Sequence, residues 1–126
     1  MLDHVSIAVR DLAASADAYQ ELLAPLGLRR LVDRPASVGF GKTYPEFWLN
    51  ARPAMPPVSD ETGSHVCLRA PDETAVRDFH ARAVAQGCRS AGEPGPRQAA
   101  MTVYYAAFIL DLDGNKIEAA NFPRKP

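Results

Sequence analysis

The sequence has little of what marks a secreted, membrane-spanning or nucleic-acid-binding chain. Its two cysteines, Cys67 and Cys88, are too few and too far apart for a disulfide framework or a Cys-x-x-Cys site. A reducing, cytoplasmic setting is therefore the expectation. The opening residues Met1-Leu2-Asp3-His4 show no basic region followed by an apolar one, so no signal peptide is expected. No apolar run approaches the roughly 20 residues that cross a bilayer, and no membrane partner is expected. The net charge of −1, with both signs dispersed, gives no nucleic-acid footprint. What remains is a globular composition over 126 residues, 47% of them hydrophobic, which suits one domain with a core that needs no staples.

Residues 3–10 alternate as a strand, with Val5, Ile7 and Val9 on one face and His4, Ser6 and Ala8 on the other. Asp11 stands where an N-cap belongs. Leu12, Ala16, Tyr19, Leu22, Leu23 and Leu26 then recur at helical spacing until Pro25 and Gly27 end the helix. Segments 28–33, 37–42 and 46–50 read as strands, with Arg34-Pro35 as a turn. Residues 51–62, with Pro53, Pro56 and Pro57, have no periodicity and read as a linker. The pattern then returns. Ser64–Ala70 repeats the first strand, and Pro71-Asp72 opens a helix whose apolar stripe is Val76, Phe79, Ala83 and Val84. Gly87 closes that helix, Gly92–Pro96 reads as a Gly/Pro-rich loop, and Tyr104–Ala120 reads as a hairpin turning at Asp113-Gly114-Asn115.

Laying residue 4 on residue 65 matches His4 with His65, Val5 with Val66 and Ile7 with Leu68. The chain is read as one domain, 1–126, made of two repeats, 1–50 and 63–122, each strand–helix–strand–strand–strand. A continuous pseudo-symmetric sheet with helices on its outer face follows as the expected α+β architecture. If the apolar faces meet the helices, the opposite faces carry His4 and Ser6, His65 and Cys67, Glu118, and Glu46, Trp48 and Asn50. Two imidazoles and a carboxylate on one face suit a first-row divalent ion with positions left open for substrate. A metal would also answer the cost of an ionised Glu118 in an apolar hairpin. Blander readings stand beside this one. A strand histidine is more often structural, Glu118 can pair with Lys116 or meet water, and Trp48 can be core. His80, beside the second helix's stripe, reads as structural or surface, and Arg97 as a loop cation within reach of an anionic substrate. Cys67 reads as pocket lining, with no arrangement that would activate it as a nucleophile.

The stretches L-D-H-V-S-I-A-V-R-D-L, P-L-G-L, H-V-C-L-R-A-P-D and Y-Y-A-A-F-I-L-D-L-D-G-N-K-I-E-A resemble the vicinal oxygen chelate superfamily, the glyoxalase/bleomycin-resistance/dioxygenase group. The resemblance covers nearly the whole chain. It implies paired βαβββ modules forming a cupped, partly open β-barrel, in a homodimer whose site lies within a chain or is shared between two. His4, His65 and Glu118 match three of the family's metal positions, for Ni, Co, Mn, Zn or Fe, with Glu118 also the catalytic candidate. The fourth position falls in the 46–50 strand, where one alignment offers Glu46 and another Trp48. Alternation cannot choose between them, because a two-residue slide keeps both on one face. Residues 97–103 lack the histidine or extra tyrosine that relatives often carry there, so no substrate chemistry transfers. The expectation is a metal-dependent lyase or isomerase acting on a small oxygenated metabolite, with ring-cleaving dioxygenase chemistry less well matched. The alternative is a metal-free small-molecule-binding protein of the bleomycin-resistance type, with Trp48, Tyr104 and Tyr105 stacking a flat ligand.

Overall fold

Alternation and capping together build each half of the chain. In this computed structural model, which describes residues 1–123, β1 (Val5–Val9) runs into Asp11, whose carboxylate accepts the Ala14 N–H at 3.0 Å and opens α1 (Leu12–Leu23). A 3-10 turn at Ala24–Leu26 ends on Gly27 at φ 81°, a left-handed conformation that favours glycine. Strands β2 (Arg29–Asp33), β3 (Ser37–Gly41) and β4 (Pro45–Ala51) complete the first module. The second repeats the order: β5 (Val66–Arg69), α2 (Glu73–Ala85), β6 (Arg89–Gln98), β7 (Val103–Leu110) and β8 (Lys116–Asn121). Asp72 caps α2 as Asp11 caps α1, accepting the Ala75 N–H at 2.8 Å. Positions 124–126, the last of the expected domain, lie outside the described residues.

The fold is α+β, and its sheets are not closed. Each module forms its own four-stranded mixed sheet, ordered β1-β4-β3-β2 and β5-β8-β7-β6. The expected single continuous sheet is thus two sheets. Helix α1 packs on β2, β3 and β4, α2 packs on β6, β7 and β8, and the helices also pack on each other. Hydrophobic period shows which face of a helix is buried but not what buries it, and here part of each stripe meets the other helix. One core results, running from Leu22, Leu23, Phe40 and Phe47 to Phe79, Ile109 and Ile117. Each fully buried Leu, Ile or Phe contributes roughly 1.5–3 kcal/mol to folding.

Two local expectations are corrected. Val84 is half exposed, and the buried set of α2 is Ala75, Val76, Phe79, His80 and Ala83. Gly92–Pro96 is not a loop but part of β6, paired to β7 through two register shifts. As a sheet edge, β6 tolerates Pro94 and Pro96, since an edge strand has one row of groups with no ladder to complete.

The β7–β8 turn fastens the modules together. Asp111 is buried and saturated: one oxygen accepts the N–H groups of Asp113 and Asn115, both at 2.9 Å, and the other accepts Asn115 Nδ2 at 3.0 Å and Tyr19 Oη at 2.6 Å. Burial, followed by the Asp111 charge, pushes the Tyr19 phenol well above its usual range, so it stays a donor. Arg10 donates through Nε to Asp113 Oδ1 at 2.8 Å, and Asn115 Nδ2 donates to the Ala8 carbonyl at 2.9 Å. The linker joins in where Val58 N–H meets the Asp113 carbonyl at 2.9 Å. These ties hold β1 at Ala8–Arg10, the end opposite His4. Among the described residues, no helix is long and apolar enough to cross a membrane.

Candidate functional site

Strand pairing decides which side chains share each sheet face left uncovered by the helices. In the first sheet β1 and β4 run parallel with Ser6 opposite Trp48 and Ala8 opposite Asn50, while Phe47 and Leu49 turn into the core. In the second, β5 and β8 run parallel with Cys67 opposite Glu118, and Phe108 of β7 faces Glu118 from the other side. Ser6 and Cys67 are repeat equivalents, so Trp48 holds in the first sheet the place Glu118 holds in the second. Glu46 stands two residues earlier, equivalent to Lys116, and is exposed. This resolves what alternation alone left open: the position matching Glu118 is a tryptophan.

The second face is the chemically distinctive one. Glu118 is 3% exposed. Its Oε1 lies 2.9 Å from His65 Nε2, and its Oε2 is buried with no well-formed hydrogen bond, the Cys67 thiol and the Tyr104 hydroxyl being the donors beside the carboxylate. Lys116, the partner considered from sequence, instead lies over the Phe108 ring at 5.0 Å. Burial, and after it the negative charge of Glu118, pushes the Cys67 thiol up to about 12. The same two causes in the same order raise the Tyr104 phenol, so both groups keep their protons at neutral pH. Tyr104 stacks on Phe122 at 4.7 Å, and Arg97 lies over Phe108 at 5.8 Å.

The first face is more open. His4 is exposed, with Nδ1 2.8 Å from Asp3 Oδ1, and Tyr44 Oη donates to Asp3 Oδ2 at 2.9 Å. The His4 contact, and next the Tyr44 hydroxyl, hold the Asp3 carboxyl below its usual range. A neutral His4 that donates Nδ1–H to this carboxylate leaves the Nε2 lone pair free for a ligand. His4, Ser6, Trp48 and Asn50 line a cavity of about 420 Å3 together with Arg34, whose guanidinium lies 5.2 Å from the Trp48 ring centre.

The structure thus brings His65, Cys67, Glu118, Tyr104 and Arg97 to one face, and His4, Ser6, Trp48 and Asn50 to another. Among the described residues, no three His, Cys, Asp or Glu side chains of one chain gather closely enough to hold a metal. Tyr105 lies apart from both faces, packed against the core with its hydroxyl accepting from Arg77 at 3.4 Å. His80 is buried with Nε2 2.8 Å from Ser90 Oγ, a structural arrangement. Asp3, Arg34, Phe108 and Phe122 belong to the faces but were not singled out from sequence. Strand pairing outward from Glu118 could have found Phe108, and adjacency to His4 could have found Asp3. Arg34 reads only as a turn residue, and no pattern in the sequence aims it at Trp48.

Glu118 fits a metal ligand by its own chemistry. A buried carboxylate with a free oxygen beside an imidazole has strong need of a cation. Asp113 Oδ2 is also buried and unpaired, but that carboxylate already faces Arg10.

The family model for the glyoxalase/bleomycin resistance protein/dioxygenase superfamily matches residues 1–119. The chain belongs to that superfamily. Among solved structures it is similar to a glyoxalase/bleomycin resistance protein from Albidiferax ferrireducens T118, 30% identical with a TM-score of 0.86, covering 97% of this chain and 99% of that one. A glyoxalase-related enzyme from Fulvimarina pelagi shares the fold at 20% identity and a TM-score of 0.71, covering 100% of this chain and 91% of its own. So does a genomically encoded fosfomycin resistance protein from Listeria monocytogenes, at 14% identity and a TM-score of 0.69, over 98% of this chain and 93% of that one. No curated protein matches this superfamily member.

Proposed function

We propose that this protein is a metal-dependent enzyme, a lyase or isomerase acting on a small oxygenated metabolite, whose divalent ion is held by His4, His65 and Glu118. The reading is carried by the buried, unpartnered Oε2 of Glu118 beside His65. A bound divalent ion, of a kind left open among Ni, Co, Mn, Zn and Fe, would supply Lewis acidity toward vicinal substrate oxygens. The three-ligand set is preferred over one with Glu46 as a fourth, because Trp48 holds the register position equivalent to Glu118. Within the chain His4 stands apart from the other two, so a homodimer is proposed, with His4 of one protomer completing the His65–Glu118 pair of its partner.

Each residue has a role that follows from its surroundings. Asp3 fixes the His4 ring and leaves Nε2 available. The Tyr104 phenol, kept protonated by burial and Glu118, can donate to a substrate oxygen as negative charge develops there. Cys67, protonated for the same reason, lines the pocket as a neutral thiol rather than attacking. Trp48 on one face, and Phe108 with the Tyr104–Phe122 stack on the other, exclude water and offer flat apolar walls.

The second reading, a metal-free protein that sequesters a flat ligand, draws on those same aromatic walls. Elemental analysis of protein purified without added metal separates the two. The enzyme reading expects near-stoichiometric metal in the wild type and its loss in both His4→Ala and Glu118→Ala. Wild type that contains none, and takes up none of the five candidate ions, would leave only the sequestering reading.

A further inference from the structure

Two cavities straddle the seam between the modules, and equivalent elements build them. The smaller, about 230 Å3, lies where the end of β1 meets Gly87 and the β7–β8 turn. The larger, about 470 Å3, lies where the end of β5 meets Gly27 and Lys42, the first residue after β3. Gly27 and Gly87 are themselves counterparts, each following its module's helix at positive φ, 81° and 95°. The charges of the two cavities differ. In the smaller, Arg10 and Arg89 share the walls with Asp111 and Asp113, and the cations are answered: Arg10 meets Asp113 at 2.8 Å and Arg89 lies 3.8 Å from Asp60. The larger is lined by Lys42 and Arg69 and by no carboxylate. Among the described residues, neither of these cations makes an ion pair. The acids that follow Pro71 on the cavity wall are engaged elsewhere, Asp72 in accepting the Ala75 N–H at 2.8 Å and Glu73 at 4.0 Å from Arg77. A third cation stands close by, since Arg29 Nη2 donates to the Lys42 carbonyl at 3.2 Å.

We propose that the larger seam cavity is a second binding site, separate from the metal site, that takes a small organic dianion such as a dicarboxylate between Lys42 of the first module and Arg69 of the second. Each cation has a fixed wall. A side chain at Gly27 would stand 3.8 Å from Lys42 Cε, so the lysine stem runs along the first module beside that glycine. The Arg69 guanidinium lies 5.6 Å from the Phe122 ring centre on the second module, held by the ring's negative face. The walls between them, at Pro25, Leu26 and Pro71, are apolar. The carbonyl end of the 3-10 turn offers Lys42 only a partial charge, so two positive charges stay unmatched beside apolar surface until an anion enters. The volume lies within the roughly 300–1,000 Å3 of small-molecule sites, room for a body as well as its charged ends. Phe122, through its stack on Tyr104, joins this cavity to the face that carries Glu118, but no proposed metal ligand lines it.

Phthalate is the probe, titrated by calorimetry into the purified full-length protein, with metal content measured on the same samples. Benzoate carries one charge, phthalamide none, and inorganic phosphate has charge without an apolar body. Phthalate is expected to bind about tenfold tighter than benzoate or phosphate, and phthalamide not at all. Lys42→Met and Arg69→Met keep the stems and remove the charges, and each is expected to weaken phthalate about tenfold or more, as loss of a hydrogen bond to a charged group does. Both residues are exposed, so thermal melts should match wild type. Arg89→Met, at the other cavity, and Glu118→Ala, at the metal site, are expected to bind phthalate as wild type does. Phthalate that binds no better than phthalamide overturns the site, and phosphate that binds as tightly as phthalate overturns its preference for an organic anion. An equal loss in Arg89→Met would mean general electrostatic attraction, and a loss in Glu118→Ala would put the probe at the metal site instead. Wild type without metal would defeat the metal-enzyme reading and leave this site to stand or fall on phthalate alone.

Discussion

The two modules share one design and differ at one position that matters. Each places a histidine just ahead of its first strand and a capped helix over its sheet, with the last strand parallel to the first. The second module then puts Glu118 opposite Cys67, buried and half satisfied, whereas the first puts Trp48 opposite Ser6, with Arg34 over its ring. The matching strand pairings leave two equivalent slots. One became a site for charge and the other a flat wall. In the proposed site the module with the carboxylate would carry the polar chemistry, and the module with the tryptophan would contribute a single imidazole, held by Asp3.

The largest expected effect comes from cutting the fastening between the halves. Asp111 accepts four hydrogen bonds, including the one from Tyr19 of the first module. Asp111→Ala is expected to cost roughly 3 kcal/mol or more, since several buried donors lose a charged acceptor together. Urea denaturation with an unchanged m-value checks it. A loss below about 1 kcal/mol would mean that the helices alone hold the modules together.

Next in size is an attempt to erase the asymmetry. Trp48→Glu gives the first module the carboxylate its register position lacks, and metal affinity is expected to rise about tenfold, on the scale of an added charged ligand. Competition against a metallochromic chelator measures this. Unchanged or weaker affinity would mean that equivalence in register does not carry over to the metal.

The smallest effect concerns pH. Cys67 is held up at about 12 by burial first and Glu118 second, so its thiolate is scarce at pH 8 and grows only as pH climbs toward that value. Removing the second cause in Glu118→Gln lowers the thiol pKa, raises the thiolate fraction at pH 8 and speeds alkylation of Cys67 several-fold. Cys88, raised by burial and by Asp111, should alkylate at its wild-type rate. Mass spectrometry resolves the two cysteines. Equal acceleration at both would indicate loosening of the fold rather than loss of a charge.

Most of the fold was legible because alternation, caps and a repeat all agreed. Asp11 and Asp72 act as N-caps, and Gly27 and Gly114 take positive φ where the chain must turn. Periodicity could not show that the helices pack on each other, because it assigns a buried face and never names the neighbour. Prolines at positions 94 and 96 suggested a loop because their tolerance depends on β6 being an edge, a property of the sheet as a whole. The site was legible residue by residue but not as an assembly. Face and repeat place His4, His65 and Glu118 on the uncovered side, while which of Glu46 and Trp48 stands in register with Glu118 needed a strand pairing that only the folded sheets supply.

The proposal that one site is built from two chains has a direct test. Chains bearing His4→Ala and Glu118→Ala, carrying different tags, are co-expressed and the mixed dimer is isolated through both tags. A shared site leaves one of the dimer's two sites with His4, His65 and Glu118 all intact, so elemental analysis should find one ion per mixed dimer and none in either mutant alone. A mixed dimer that binds no metal, beside a wild type that does, would contradict the shared site and return all three ligands to a single chain.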